Sequence, residues 1–313
     1  MTAAPTIAEE ILDLKRQRRA IILAHHYQDH EIQEIADFTG DSLELARAAR
    51  DAESDVIAFC GVWFMAETAK VLNPARTVIV PDKDASCSLV EGCPVGPIRE
   101  YRRRNPDHVI VSYINTSIEV KAESDLLCTS RNAVKIVNSI PADKTVLFLP
   151  DRNLGNYVQR ETGRQNLKIW QGSCIVHNTF PVRRLLDAKA AHPEAIVVSH
   201  PECPEAVLDH SDFIGSTSAI VDYVAAAHQQ RPGCEFIVMT ESGVNFSLER
   251  VAPTSRFYYV ANENCNCSEC PFMRLNTLEK LRDSLQILSP VVELSADLIA
   301  RALLPLERML AIK

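Results

Sequence analysis

HVIVSYINT, residues 108–116, is an apolar β-branched run that turns polar at its carboxyl end, and two more runs of the same kind occur, AIILAHHYQ at 20–28 and AIVVSHPEC at 195–203. Each opens a longer template. A Ser-Asp segment follows (SDVIAFCG at 54–61, SDLLCTSR at 124–131, SDFIGSTS at 211–218) and leads into a helical stretch. A further apolar run then ends near an acid, as TVIVPDKDA at 77–85, TVLFLPDRN at 145–153 and EFIVMTESG at 235–243. Short, continuously apolar strands alternating with helices imply parallel sheets covered on both faces. Self-similarity in three copies sets the organisation. The expected fold is α/β, with three pseudo-symmetric βαβ-type parallel-sheet domains around a central active site. Their expected bounds are 1–92 completed by the C-terminal segment 262–313, then 93–178, then 179–261.

In such sheets ligands sit beyond the carboxyl ends of the strands. That places His25, His26 and Tyr27, then Tyr113 and Asn115, then His200 and Glu202, at the common centre. The strand-to-helix turns form a second set, Cys60-Gly61, Thr129-Ser130 and Ser216-Thr217. Ser or Thr capping explains each turn singly. Three helix N-termini facing one centre suit a multiply anionic ligand. A further turn, Gly40-Asp41-Ser42, separates two helical stretches, and Asp41 or Ser42 is placed to cap the second.

The bulk composition is that of a globular chain, 313 residues with 46% hydrophobic and 24% charged. A net charge of −8 argues against nucleic acid, which calls for a basic face. The basic run Arg102-Arg103-Arg104 reads as the solvated end of a helix. No apolar stretch approaches a membrane span. Glu9, Glu10 and Asp13 stand where a signal peptide needs an apolar run, so an amphipathic first helix (Ile7, Ile11, Leu12, Leu14) and a cytoplasmic location are expected.

Ten cysteines in a cytoplasmic chain must be buried, metal-bound or catalytic. The densest group is Cys265, Cys267 and Cys270, and its local pattern leaves structural zinc, a redox pair and a cluster ligand all open. Cys87, Cys174 and Cys270 each follow a strand that closes one unit, 87 and 96 residues apart. Three thiols on three loops are placed to converge where the units meet, and thiolates select iron–sulfur clusters or zinc. Cys60, Cys128, Cys203 and Cys234 read as inert buried residues.

The segments AHHYQ, GDSLELAR, FCGVWFMAETAKVLNP, CSLVEGCP, SYINTS, CTSRNA, LPDRNLG, GSCIVH, SHPEC, GSTS, MTESG and CPFMRLN, in that order between about residues 20 and 280, resemble those of the bacterial quinolinate synthases. The resemblance implies condensation of iminoaspartate with dihydroxyacetone phosphate to quinolinate, with release of phosphate and water, in NAD biosynthesis. It implies a [4Fe–4S] cluster on Cys87, Cys174 and Cys270, whose fourth iron is open to substrate groups. His25 would hold a carboxylate or hydroxyl and Tyr27 would move protons. Tyr113 and Asn115 would bind near the open iron, and His200 and Glu202 would form an acid–base pair, with His177 a further imidazole. Ser42, Ser130, Ser216 and Thr217 would hold anions, beside cationic imidazoles. An aspartate oxidase or dehydrogenase would supply the imine as a transient partner. Two departures stand out: relatives often carry Cys-x-x-Cys-x-x-Cys where this chain has Cys265-x-Cys267-x-x-Cys270, and an Asn where His26 precedes Tyr27.

Two other classes compete. A zinc-stabilised binding protein would use Cys265, Cys267 and Cys270 without catalysis, and an electron carrier would need a fourth thiolate. The polar strand ends AHHYQ, SYINT and SHPE favour the enzyme, and nothing in the zinc reading requires hydroxylated turns in all three units.

Overall fold

The computed structural model describes residues 5–261 and 268–312. Its strands form three four-stranded sheets, every pairing parallel. The first holds β1 (Ala20–His25), β2 (Phe38–Gly40), β3 (Val56–Cys60) and β4 (Thr77–Ile79) in the order β2-β1-β3-β4. The second holds β5 (Val109–Tyr113), β6 (Leu126–Cys128), β7 (Val146–Leu149) and β8 (Leu167–Ile169) in the order β6-β5-β7-β8. The third holds β9 (Ile196–Ser199), β10 (Phe213–Ile214), β11 (Glu235–Met239) and β12 (Arg256–Tyr259) in the order β10-β9-β11-β12. The expected α/β fold with three repeated parallel-sheet units is what forms. The central strands carry almost wholly buried side chains, which explains their unbroken apolar runs.

The internal register of the first unit differs from the expected one. In the second and third units the Asp of Ser-Asp takes a backbone N–H from the central strand: Ile110 N to Asp125 at 2.7 Å and Val197 N to Asp212 at 2.8 Å. The preceding serines pair with strand serines, Ser124 with Ser112 and Ser211 with Ser199, each at 2.6 Å. In the first unit the same bond is made by Asp37, which accepts from Ile22 N at 2.8 Å. Asp55 instead pairs with Arg19 at 3.2 Å. So Ala36-Asp37 before β2 is the equivalent segment, Ser54-Asp55 is a decoy, and the turn matching Thr129-Ser130 and Ser216-Thr217 is Asp41-Ser42, not Cys60-Gly61. With that register β4, β8 and β12 are equivalent, and each leads into one of the cysteine loops.

The first helix, Ile7–Arg18, is closed by a Thr6–Glu9 capping box and buries Ile11. The C-terminal helices lie across two units. Leu278–Ile287 packs on the first helix, whereas Ala296–Ala311 lies against β6 and the helix Ile118–Ala122 of the second unit. Arg102 reaches Asp125 at 2.5 Å, while Arg103 and Arg104 are exposed and pair with Glu100 in the last turn of their helix. No helix among the described residues is long and apolar enough to cross a membrane.

Candidate active site

A central cavity opens where the carboxyl ends of the three sheets meet. Its wall includes His25, Tyr27, Ser42, Cys87, Tyr113, Asn115, Ser130, Cys174, His177, His200, Glu202, Thr217 and Cys270. Of the residues expected there, His26 is turned away, held by Ser247 and Ser218, and so is Ser216. It caps the helix Thr217–Gln230 and donates to Asp41 at 2.9 Å, across the seam between the first and third units. Asp41 in turn caps the helix Ser42–Asp51, so capping accounts for both residues. Cys265 and Cys267 lie outside the described residues.

The corrected register makes His25, Tyr113 and His200 equivalent, and likewise Tyr27, Asn115 and Glu202. Local bonds set the imidazole tautomers. His25 Nδ1 accepts from Tyr27 N at 3.1 Å, and His200 Nδ1 accepts from Glu202 N at 3.3 Å. An accepting Nδ1 leaves the proton on Nε2, and in His200 that atom lies 3.2 Å from Ser130 Oγ. Burial holds His25 well below the usual imidazole range and His200 at about 3. The expectation of cationic imidazoles is therefore corrected for these two. Neutral rings that donate through Nε2–H avoid the desolvation cost of a buried cation.

A hydrogen-bonded chain crosses the cavity wall. Thr217 donates to Tyr27 Oη at 2.7 Å, Tyr27 meets Thr240 Oγ1 at 2.8 Å, and Thr240 meets His177 Nε2 at 2.9 Å. His177 Nδ1 lies 2.8 Å from a Glu202 oxygen. Since Thr217 donates at one end and a carboxylate accepts at the other, one assignment satisfies every link. Tyr27 donates to Thr240, Thr240 to Nε2, and Nδ1–H to Glu202. Burial alone would raise the Glu202 carboxyl; a proton on His200 or His177 would lower it, hydrogen bonds from His177 and Tyr113 act the same way, and the net shift is downward. Burial raises both Tyr27 and Tyr113, so the phenols keep their protons. Thr240 was not anticipated. It sits one residue past β11, directly before the Glu241 whose acidity had marked that strand end.

The donor set for a metal is separable from the other thiols. Cys60, Cys93, Cys128, Cys203 and Cys234 are buried, whereas Cys87, Cys174 and Cys270 are partly open to the cavity. Burial pushes Cys87 up to about 12, Cys270 up to about 11 and Cys174 well above its ordinary value; Cys270 raises Cys87 further, and both raise Cys174. Three thiols that line one cavity and whose ionisation burial opposes are a setting a cation relieves. Asn115 Oδ1 is buried without a hydrogen-bond partner, an acceptor left for a ligand. The ligating atoms of Cys174, His177 and Glu202 also lie within 4.8 Å of one another, so this side of the wall could hold a metal ion by itself.

Comparison with known proteins gives the chain's family. Residues 9–311 match the family described as Quinolinate synthetase A protein. The chain is 51% identical to the quinolinate synthase of Synechocystis sp. over 302 residues, 96% of this chain and 93% of that one. It is 52% identical to that of Thermosynechococcus vestitus over 303 residues, again 96% and 93%. To that of Nostoc sp. it is 51% identical over 301 residues, 96% and 91%. With the match spanning nearly the whole chain and all three units, this protein belongs to the quinolinate synthetase A family.

Proposed function

We propose that the chain is a quinolinate synthase that condenses iminoaspartate with dihydroxyacetone phosphate, releasing phosphate and water, and that it does so with a [4Fe–4S] cluster on Cys87, Cys174 and Cys270. The observation that carries this is the convergence of three part-exposed thiols, one per unit, on a cavity that also holds the Tyr27–Thr240–His177–Glu202 chain. When bound, such a cluster with one open iron supplies an electron-pair acceptor for a substrate hydroxyl or carboxylate.

The protein's own groups divide the remaining work. Neutral His25 and His200 offer Nε2–H donors that orient carboxylates. Ser42 and Ser130, with Thr217 at the N-terminus of a 14-residue helix, line the part suited to phosphate. Dehydration and keto–enol steps need a group that gives a proton and one that takes it. With every donor of the chain pointing toward Glu202, that carboxylate takes the proton, and Tyr27 moves it there through Thr240 and His177. Because iminoaspartate is an unstable imine, we place an aspartate oxidase or dehydrogenase upstream, with action in the cytoplasm.

The test is anaerobic purification with assays of iron, sulfide and zinc, then quinolinate formation from dihydroxyacetone phosphate and enzymatically generated iminoaspartate. About four irons and four sulfides per chain with quinolinate formed is the expected result. A colourless, zinc-loaded protein would instead point to the Cys174–His177–Glu202 group and overturn the cluster.

A further inference from the structure

Two fully buried carboxylates stand at equivalent places and do equivalent things. Asp151 lies two residues past β7, and Glu241 two residues past β11. Each uses one oxygen on its own segment and the other on a cysteine loop. Asp151 Oδ1 accepts from Leu154 N at 2.7 Å, capping the helix Arg152–Thr162, while Oδ2 accepts the backbone N–H of Cys174 at 3.1 Å. Glu241 Oε2 accepts from Gly243 N at 2.6 Å, while Oε1 accepts the backbone N–H of Cys270 at 2.9 Å and Arg274 Nη2 at 2.9 Å. In the first unit the same position, two past β3, is Val62, whose side chain has no acceptor. There the loop before Cys87 is tied by main chain, Trp63 N to Ala85 O at 2.7 Å.

We propose that Asp151 and Glu241 are positioning residues that hold the Cys174 and Cys270 thiols at the cavity by binding each cysteine's amide from behind, whereas among the described residues no carboxylate binds the Cys87 amide. A carboxyl oxygen that accepts a buried amide satisfies a donor that would otherwise stand orphaned, and it fixes the loop geometrically. Each carboxylate also ties a ligand loop to a strand end, which transmits the rigidity of the sheet to the sulfur. Rigid placement of a metal's ligands by such outer partners governs how firmly the metal is kept. The inference rests on the reading that these thiols hold a metal, but the anchoring itself exists in the chain without one.

The experiment uses the full-length chain labelled with 15N-cysteine, in wild type, Asp151→Ala and Glu241→Ala, with Asp151→Asn and Glu241→Gln as milder variants that keep one acceptor oxygen. Amide hydrogen exchange is read at each cysteine, and loss of cluster to an iron chelator is timed anaerobically. Exchange at Cys174 should quicken at least tenfold in the Asp151 variants with Cys270 little changed, and the reverse in the Glu241 variants, with Cys87 unmoved in both. Chelator loss should quicken about tenfold in both, less in the Asn and Gln forms. Should the Ala variants not fold, the Asn and Gln forms decide by the same reciprocity. Equal exchange at all cysteines, or a uniform rise at all of them, overturns the proposal. Wild type without iron would instead sink the cluster reading while leaving the exchange result to stand.

Discussion

Tyr27 Oη and Thr240 Oγ1 lie 2.8 Å apart, joining the first unit to the third across 213 residues of sequence. The bond places the phenol between a donor, Thr217, and a relay that ends on Glu202. Removing the phenol oxygen should leave the thiols untouched but break the path. Tyr27→Phe is expected to retain wild-type iron, sulfide and visible absorption while kcat falls 10²- to 10⁴-fold, the usual span for a lost acid–base group. Thr240→Val should act in the same direction through His177. Normal turnover in Tyr27→Phe removes it from the proton path.

The cysteines divide by exposure, and so should their variants. Cys87→Ala, Cys174→Ala and Cys270→Ala are each expected to abolish the cluster absorption, because each removes one of the part-open thiols. Cys60→Ala, in the fully buried class, should keep the absorption and cost stability of about 1 kcal/mol through the small cavity left behind. Cys265→Ala and Cys267→Ala should also keep it, and loss of absorption in Cys267→Ala would reassign the third ligand.

How much of this could be read beforehand depended on whether a residue's role was set locally. The apolar strand runs and their polar ends are local, so the three sheets and His25, Tyr113 and His200 were legible. The first unit's register was not. Ser54-Asp55 copies the Ser-Asp signature by letter, whereas the bond that defines the position, a carboxylate on the central strand's amide, is made by Asp37 after an alanine. Ser216 looked like a ligand residue because it shares the turn with Thr217, yet the helix turns one hydroxyl outward and one back to Asp41. Thr240 carries no motif of its own, since its role exists only once two units meet.

His26, unlike His25, faces away from the cavity, held by Ser247 at 2.8 Å and Ser218 at 3.2 Å. Burial lowers its pKa from 6.5 to about 4, against the pull of Asp41 and Asp222. The folded state therefore binds fewer protons than the unfolded one between pH 6.5 and 4. Stability is full above that window and falls as pH drops through it, with His26 accounting for a loss of about 2 kcal/mol at pH 5. Denaturant titrations at pH 7 and pH 5 should show this decline in wild type. His26→Gln should be less stable at pH 7 yet decline less between the two, and an unchanged decline would remove His26 as its source.

Gly243 shows how tightly the third unit closes on the first. A Cβ built there would lie 2.8 Å from the Tyr27 carbonyl carbon and oxygen and 2.8 Å from Glu241 Oε2. Backbone cannot swing aside as a long side chain can, and Gln33 Nε2 also donates to the Gly243 carbonyl at 3.0 Å, fixing the segment from the first unit. Gly243→Ala must therefore push Tyr27 and the Glu241 turn apart. Overpacking of this kind costs about 1–3 kcal/mol, and here the displaced group is the phenol at the head of the relay. The variant is expected to fold with a lowered melting temperature, to keep its iron, and to lose turnover at least tenfold. A variant with wild-type kcat would mean that Tyr27 tolerates displacement of its own backbone, and that its contact with Thr240 is adaptable rather than set by the seam.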